Sequence, residues 1–155
     1  GHLAAEADSN PVVSAGWYYL SGDDPESAKD EGWNPLWGRW PQYSELYVYA
    51  WDADGAGRWS NLNMPHVDFA MNPIKDWKLK LMAAYLWAPE KDGPGGGDER
   101  GFLGVARTDF LLAEKFWGTK DKLFGHLLIE VLEPGNYYNV SDTAYFARAE
   151  LSYAF

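Results

Sequence analysis

Apolar and polar positions alternate most clearly in the last eleven residues of this 155-residue chain. One face of this stretch is apolar and carries Tyr145, Ala147, Ala149, Leu151, Tyr153 and Phe155. The opposite face is mostly polar and carries Phe146, Arg148, Glu150, Ser152 and Ala154. Successive side chains of a strand point to opposite faces of a sheet. The pattern therefore predicts a strand at 145–155 with one apolar face.

Five earlier stretches show a similar rhythm and predict strands at 12–20, 61–72, 77–87, 102–117 and 123–133. Pro65 lies within the second of these and predicts a bulge or a strand end, because proline lacks the backbone N–H that a central ladder uses. Residues 43–51 fit either a short strand or a helical turn. We expect one folded unit over 1–155, with a linker or frayed end at 1–11, a long loop region at 21–58 and regular strands over 59–155.

The connections between these strands alternate in length. Short turns are expected at 72–76 and 118–121, and longer loops at 21–58, 88–101 and 134–142. Outer-membrane barrels have short periplasmic turns and long extracellular loops, whereas a Greek-key sandwich has no need of that order. The sequence therefore favours an all-β fold, an antiparallel up-and-down transmembrane β-barrel or a six- to eight-strand portion of one, with long extracellular loops.

The strand at 77–87 is long enough to cross a membrane. Trp77 and Trp87 share one face and lie ten residues apart, a distance of about 33 Å along a strand. At a barrel tilt that length gives roughly 25 Å, the height of the apolar band between two aromatic girdles. Arginine should therefore be costly at Leu81 and tolerated at Leu86, on the opposite face. The side chains expected to face lipid are Trp77, Leu79, Leu81, Tyr85, Trp87, Leu127, Ile129, Val131, Leu151, Tyr153 and Phe155.

The opposite faces of the same strands carry charges of both signs. This mixture suits ion pairs between neighbouring strands better than an anion-selective filter. Small closed barrels need about eight strands, so we expect further strands from another chain, or from a missing N-terminal region, to complete the wall. The side chains expected to line the pore are Lys78, Lys80, Arg107, Asp109, His126, Glu130, Arg148 and Glu150.

Composition narrows the classes of partner. The net charge of -10 argues against nucleic acid as a partner. The absence of cysteine excludes disulfides and thiol chemistry, and no apolar run is long enough for a transmembrane helix. Nine Trp and ten Tyr indicate a surface that is apolar at one end and wet at the other, such as a carbohydrate platform or a membrane girdle.

The titratable side chains give only weak indications of chemistry. Asp109, Glu130 and Glu150 could act as glycosidase carboxylates, but arginines on the same faces favour ion pairing, and no nucleophile, phosphate-loop or metal motif accompanies them. We therefore expect no enzyme activity. A metal site at His66 and Asp68, or at His126 and Glu130, is a minor alternative.

The loop region at 21–58 is acidic and rich in tryptophan. We expect it at the mouth of the barrel, where its tryptophans either stack on sugar rings or pack an ordered loop into the opening. No cofactor is expected, although calcium held by Asp23, Asp24, Asp52 and Asp54 is a minor alternative. The residues expected at the mouth are Asp23, Asp24, Trp33, Trp37 and Trp40.

Several aromatic motifs carry a family resemblance. They are Trp17-Tyr-Tyr19 running into Ser21-Gly-Asp-Asp24, Trp33-Asn-Pro-Leu-Trp37, Arg39-Trp-Pro41 with Ser44-Glu-Leu-Tyr47, and the ending on Phe155. With these motifs the chain resembles the C-terminal part of an alginate-export-type bacterial outer-membrane porin. The resemblance implies a Gram-negative outer-membrane channel, in contact with lipid, for passive diffusion of a small polar, acidic or carbohydrate solute. The alternative is a soluble, aromatic-rich β-sandwich that binds carbohydrate.

Overall fold

A computed structural model describes residues 9–34, 43–46, 60–91, 93–115, 117 and 120–155. All six predicted strands are present in it, and two of them have the predicted bounds. The strands are β1 Val12–Leu20, β2 Leu62–Met71, β3 Trp77–Trp87, β4 Glu99–Glu114, β5 Lys122–Pro134 and β6 Ala144–Ala154.

The six strands form one antiparallel sheet in which they follow each other in chain order. This confirms the predicted all-β, up-and-down architecture. Within the described part of the chain the sheet is open, with β1 and β6 as its edges. The structure thus establishes a six-stranded sheet, and closure into a barrel stays a prediction.

The ladder register places side chains of like character on one face across all strands. Leu81 of β3 lies between Phe69 of β2 and Ala106 of β4, and Ala106 in turn lies beside Ile129 of β5. We call this the outer face. Lys80 lies beside Arg107 on the opposite face, which we call the inner face. The alternation along each strand thus becomes a difference between two faces of the whole sheet.

Pro65 lies inside β2, so the prediction of a bulge or strand end there is wrong. Pro65 is paired with Trp17 of β1. The β2–β3 ladder has partners at Asn63 and His66 in the same register, and it is interrupted only at Met64 and Pro65. A single missing donor interrupts the ladder locally without displacing the strand. Register shifts occur instead between Leu86 and Trp87 and near the end of β4, where the sequence pattern drifts.

The connections alternate in length as predicted. Those after β1, β3 and β5 span 21–61, 88–98 and 135–143, and they lie at one end of the sheet, the long-loop end. Those at the other end, the short-turn end, span 72–76 and 115–121.

Arg100 ties the long-loop end together. Its side chain is fully buried and donates hydrogen bonds to the carbonyls of Ser60 and Asn61 and to the Tyr138 hydroxyl, at 2.9–3.2 Å. Asn61 in turn exchanges two hydrogen bonds of 2.8 Å with the backbone of Glu90. The guanidinium therefore joins two of the long connections, and Asn61 joins them to the third.

The hydrophobic core lies on the inner face at the long-loop end. It comprises Leu20, Leu46, Leu62, Met64, Ala84, Leu86, Leu103 and Leu132. Leu46 belongs to the short described segment 43–46, in which residues 45 and 46 have helical backbone, so this loop segment covers part of the sheet. Leu86 is 0% exposed in this core. The expectation that arginine is tolerated there is therefore wrong, because this half of the inner face is apolar.

Candidate functional site

The outer face is apolar and exposed. Exposed fractions are 73% for Trp17, 60% for Ile129, 77% for Tyr145 and 63% for Leu151. No second layer packs on this face within the described ranges. Soluble monomers rarely expose contiguous apolar patches larger than a few hundred Å², so a face of this kind marks a contact surface.

The outer face also lacks charge over most of its height. From β1 to β6 its described side chains are apolar, aromatic or uncharged polar, except for Glu99 at the start of β4 and Glu133 near the end of β5, both at the long-loop end. Glu133 lies beside Phe102 at the long-loop end, where it accepts a hydrogen bond from the Thr143 hydroxyl. The charge-free band therefore reaches across all six strands.

Aromatic rings concentrate at the two ends of this band. At the short-turn end, Trp77 packs on Phe110 with 5.3 Å between ring centroids. At the long-loop end, Tyr85 packs on Trp87 at 6.0 Å. Between the two rows, apart from Phe69, the outer face carries mainly aliphatic and small side chains, among them Val67, Leu79, Leu81, Ala83, Ala106, Leu127, Ile129, Ala147 and Ala149.

The strand residues predicted to face lipid all lie on the outer face. Phe155, the last of that set, follows β6 and is 99% exposed. The others are Trp77, Leu79, Leu81, Tyr85, Trp87, Leu127, Ile129, Val131, Leu151 and Tyr153. Their common face is established, and lipid contact stays a prediction.

The inner face at the short-turn end carries paired charges. Asp109 accepts two hydrogen bonds from the Arg107 guanidinium on Oδ1, at 2.8 and 2.6 Å. Its Oδ2 lies 3.3 Å from Lys80 Nζ. Lys78 lies directly opposite Asp109 on the neighbouring strand. One carboxylate on β4 thus gathers cations from two strands.

A second group of charges joins β5 and β6 to the segment 43–46. Arg148 Nη1 donates to Glu45 Oε1 at 2.6 Å, and Arg148 Nε donates to His126 Nε2 at 3.2 Å. Glu150 Oε2 lies 3.9 Å from the same His126 nitrogen. The guanidinium therefore links a strand to a loop segment 103 positions away in the sequence.

Glu130 anchors the segment 43–46 to the inner face. It is 1% exposed, and its carboxylate accepts hydrogen bonds from the Ser44 hydroxyl and from the backbone N–H groups of Glu45 and Leu46, at 2.6–3.0 Å. A carboxylate is well placed there, because the first N–H groups of a helical turn lack backbone partners. These bonds hold Leu46 in the core.

A pocket of about 320 Å³ opens on the inner face beside the segment 43–46. Its floor includes the apolar Met82, Val105 and Leu128, and its walls include Tyr43 and six charged side chains. The Tyr43 ring packs on His66 with 5.0 Å between centroids. The pocket lies where the apolar core of the inner face gives way to its charged half.

The residues predicted to line a pore all lie on the inner face, but they differ in what they contact. Lys80, Arg107, Asp109 and Arg148 belong to the ion pairs described above, whereas Glu130 is used by the loop segment. The full set is Lys78, Lys80, Arg107, Asp109, His126, Glu130, Arg148 and Glu150. Sequence reasoning missed Ser44 and Glu45, because nothing local signals a partner 85 or more positions away. It also missed Tyr43, which packs on Tyr18 and His66 of two strands.

The described residues of the predicted mouth loop form hydrogen-bonded turns. Asp23 Oδ1 accepts the backbone N–H of Glu31, and Asp24 Oδ1 accepts that of Glu26, both at 2.9 Å. Trp33 is half exposed. The other predicted mouth and calcium residues lie outside the described residues: Trp37, Trp40, Asp52 and Asp54.

The two residue pairs weighed as metal ligands have other contacts. His66 and Asp68 lie 3.4 Å apart, but the His66 ring also packs on Tyr43, and Glu130 is occupied by the segment 43–46. Among the described residues, no cluster of three or more His, Cys, Asp or Glu side chains is arranged to hold a metal ion.

Comparisons with known proteins give no assignment. No family model, curated protein or solved structure matches this chain. Within the described ranges, no helix has the length and apolar character needed to cross a membrane. The function must therefore be argued from the two faces of the sheet.

Proposed function

We propose that this sheet is part of the wall of a bacterial outer-membrane channel. Its outer face contacts lipid, and its inner face lines a pathway for passive diffusion of small hydrophilic solutes. One observation carries the proposal: the outer face is exposed, carries a charge-free band that crosses six strands, and is bordered at both ends of this band by aromatic rings. A barrel presents the same features to a bilayer, in the form of an apolar band between two aromatic girdles.

Lipid contact removes the cost of exposing this face to water. Burying apolar surface contributes about 25 cal/mol per Å², and side chains such as Ile129 and Leu151 are more than half exposed. The hydrocarbon chains of lipids can cover these side chains without making specific contacts with them. Tyr85 and Trp87 at one end, and Trp77 at the other, suit the boundary between hydrocarbon and water.

The segment 43–46 narrows the pathway on its inner side. Glu130, predicted to face the solute, holds this segment in place through three hydrogen bonds. Solute therefore passes Lys80, Arg107 and Arg148, which lie around the pocket. In this proposal Glu130 positions the constriction and does not contact solute.

The two open edges of the sheet must be paired in a bilayer. Every backbone N–H and C=O in hydrocarbon needs an internal partner, which is why membrane sheets are closed. Along the outer edges of β1 and β6, no strand partner exists among the described residues. The proposal therefore includes further strands, from another chain or from another part of the polypeptide. Membership of the alginate-export type of porin remains a prediction that rests on the aromatic motifs alone.

Detergent dependence and permeation test the proposal together. The chain should show β-type circular dichroism in detergent or lipid, and lipid vesicles that contain it should swell in small sugars or glycerol. A chain that is folded, monomeric and soluble without detergent would overturn the proposal. That outcome would favour the soluble carbohydrate-binding alternative.

A further inference from the structure

We infer that the pocket beside the segment 43–46 is a subsite for a neutral polyhydroxylated solute, a sugar or sugar alcohol, and that it disfavours carboxylated sugars. The inference rests on the proposed function, because the pocket lies on the face assigned to the pathway. The charges of the side chains that line the pocket are its first support.

The charges that line the pocket cancel. Three carboxylates face three cationic groups, namely Glu45, Asp68 and Glu130 against Lys80, Arg107 and Arg148. Asp109 lies directly behind two of these cations and is bonded to both, so the lining offers no excess of positive charge. A filter for anions would need such an excess.

The cations of the pocket are already engaged with carboxylates. Arg107 and Lys80 both contact Asp109, at 2.6 and 3.3 Å. Arg148 contacts Glu45 at 2.6 Å. A carboxylate solute would have to displace one of these partners and then lie close to the displaced group. Like charges in close contact are unfavourable by several kcal/mol in recognition sites.

A neutral hydroxyl meets no such competition. A guanidinium carries five N–H donors, and Arg107 uses two of its nitrogens on Asp109. A carboxylate can accept about four hydrogen bonds, so Glu45 has capacity beyond its bond from Arg148. A hydroxyl can donate to one group and accept from the other while every ion pair stays intact.

The apolar part of the pocket suits the C–H faces of a sugar ring. Met82, Val105 and Leu128 form an apolar floor, and the ring of Tyr43 stands at one wall. Tyr43 is 36% exposed, so part of its ring is open to a ligand. Apolar lining with a few well-placed polar groups is typical of small-molecule sites, and the volume lies at the lower end of their range.

Vesicle swelling with a matched pair of solutes tests the inference. Methyl glucoside and the methyl glycoside of glucuronate have the same ring and differ in the charge of the group at C6. We expect methyl glucoside to enter at least about tenfold faster, equivalent to about 1.4 kcal/mol. Equal entry, or faster entry of the glucuronate glycoside, would overturn the inference while leaving the channel proposal intact. Failure of every solute, including glycerol, to enter vesicles that contain folded protein would instead overturn the channel proposal.

A pocket variant and a matched control test whether this pocket causes the difference in entry between the two solutes. Asp109→Asn removes one negative charge and releases two cations, so entry of the glucuronate glycoside should rise severalfold towards that of methyl glucoside. Glu133→Gln makes the same charge change at the exposed outer face and should leave the ratio unchanged. If Asp109→Asn does not fold, Asp68→Asn changes the pocket charge equally and should shift the ratio in the same direction. An unchanged ratio in a folded pocket variant would contradict the assignment.

Discussion

The two faces of this sheet are built from the same alternating strands, but the chain covers only one of them. On the inner face, the segment 43–46 places Leu46 over an apolar core and is held there by Glu130. The outer face, which is more uniformly apolar, has no cover within the described residues. A soluble fold would be expected to cover its most apolar face first. This difference between the two faces is the basis of the proposal that lipid covers the outer face.

The largest loss of stability is expected from a substitution in the buried core, which covers the long-loop half of the inner face. Leu86→Arg would bury a charge among leucines, because Leu86 is 0% exposed and packs with the core. We expect a loss of more than about 4 kcal/mol in unfolding free energy, measured by denaturant titration in detergent. Lys78→Arg, on the exposed charged half of the same face and strand, is the matched control and should be nearly neutral. Equal stability of Leu86→Arg and wild type would show that this core does not form.

A smaller loss of stability, which should depend on the presence of a bilayer, is expected from a substitution on the outer face. Leu81→Arg places a charge in the middle of the charge-free band, where insertion in a bilayer costs about 2–4 kcal/mol. Leu81 is 40% exposed in the sheet itself, so the loss should appear in lipid vesicles and shrink in the absence of a bilayer. The same loss in both environments would indicate a protein core around Leu81.

A loss of stability of intermediate size is expected at Glu130, which holds the segment 43–46 against the inner face. Glu130→Gln keeps the shape but weakens the charge-assisted bonds from Ser44, Glu45 and Leu46. Hydrogen bonds to charged groups contribute about 1.5–3 kcal/mol each, and glutamine retains part of them, so we expect a loss of roughly 2 kcal/mol and faster proteolysis near 43–46. Glu133→Gln, three residues further along β5 and on the outer face, should change neither.

The smallest effect is expected at the exposed loops. Lys91 and Asp98 form an ion pair of 3.5 Å with side chains that are 66% and 47% exposed. Exposed pairs of this kind contribute about 0–1 kcal/mol and are screened by salt. Lys91→Ala should therefore change the unfolding free energy by less than about 1 kcal/mol, as measured by thermal unfolding at two salt concentrations.

Period-two alternation predicted the strands and the face of each strand residue. It separated Leu81 from Lys80 correctly, because side-chain direction depends only on position along one strand. It could not predict what covers a face. Leu86 was expected to tolerate arginine, yet the long-loop half of the inner face is a buried core.

The candidate site could be predicted only in part, since its contacts are distant in sequence. The strand residues of the ion pairs, such as Arg107 and Asp109, lie on one predicted face. Their loop partners do not follow from any local pattern: Arg148 contacts Glu45 across 103 positions, and Glu130 contacts Ser44 across 86. The contacts of buried Arg100 likewise depend on two loops that meet only in the folded chain.

Lipid contact of the outer face is most directly measured by spin-label accessibility. The chain has no cysteine, so a single nitroxide can be attached through Ile129→Cys on the outer face and, for comparison, through Val140→Cys in the exposed loop after β5. In vesicles we expect the label at position 129 to collide readily with dissolved oxygen and rarely with a polar nickel complex, and the label at position 140 to show the reverse. Equal access of the nickel complex to both positions would contradict the account.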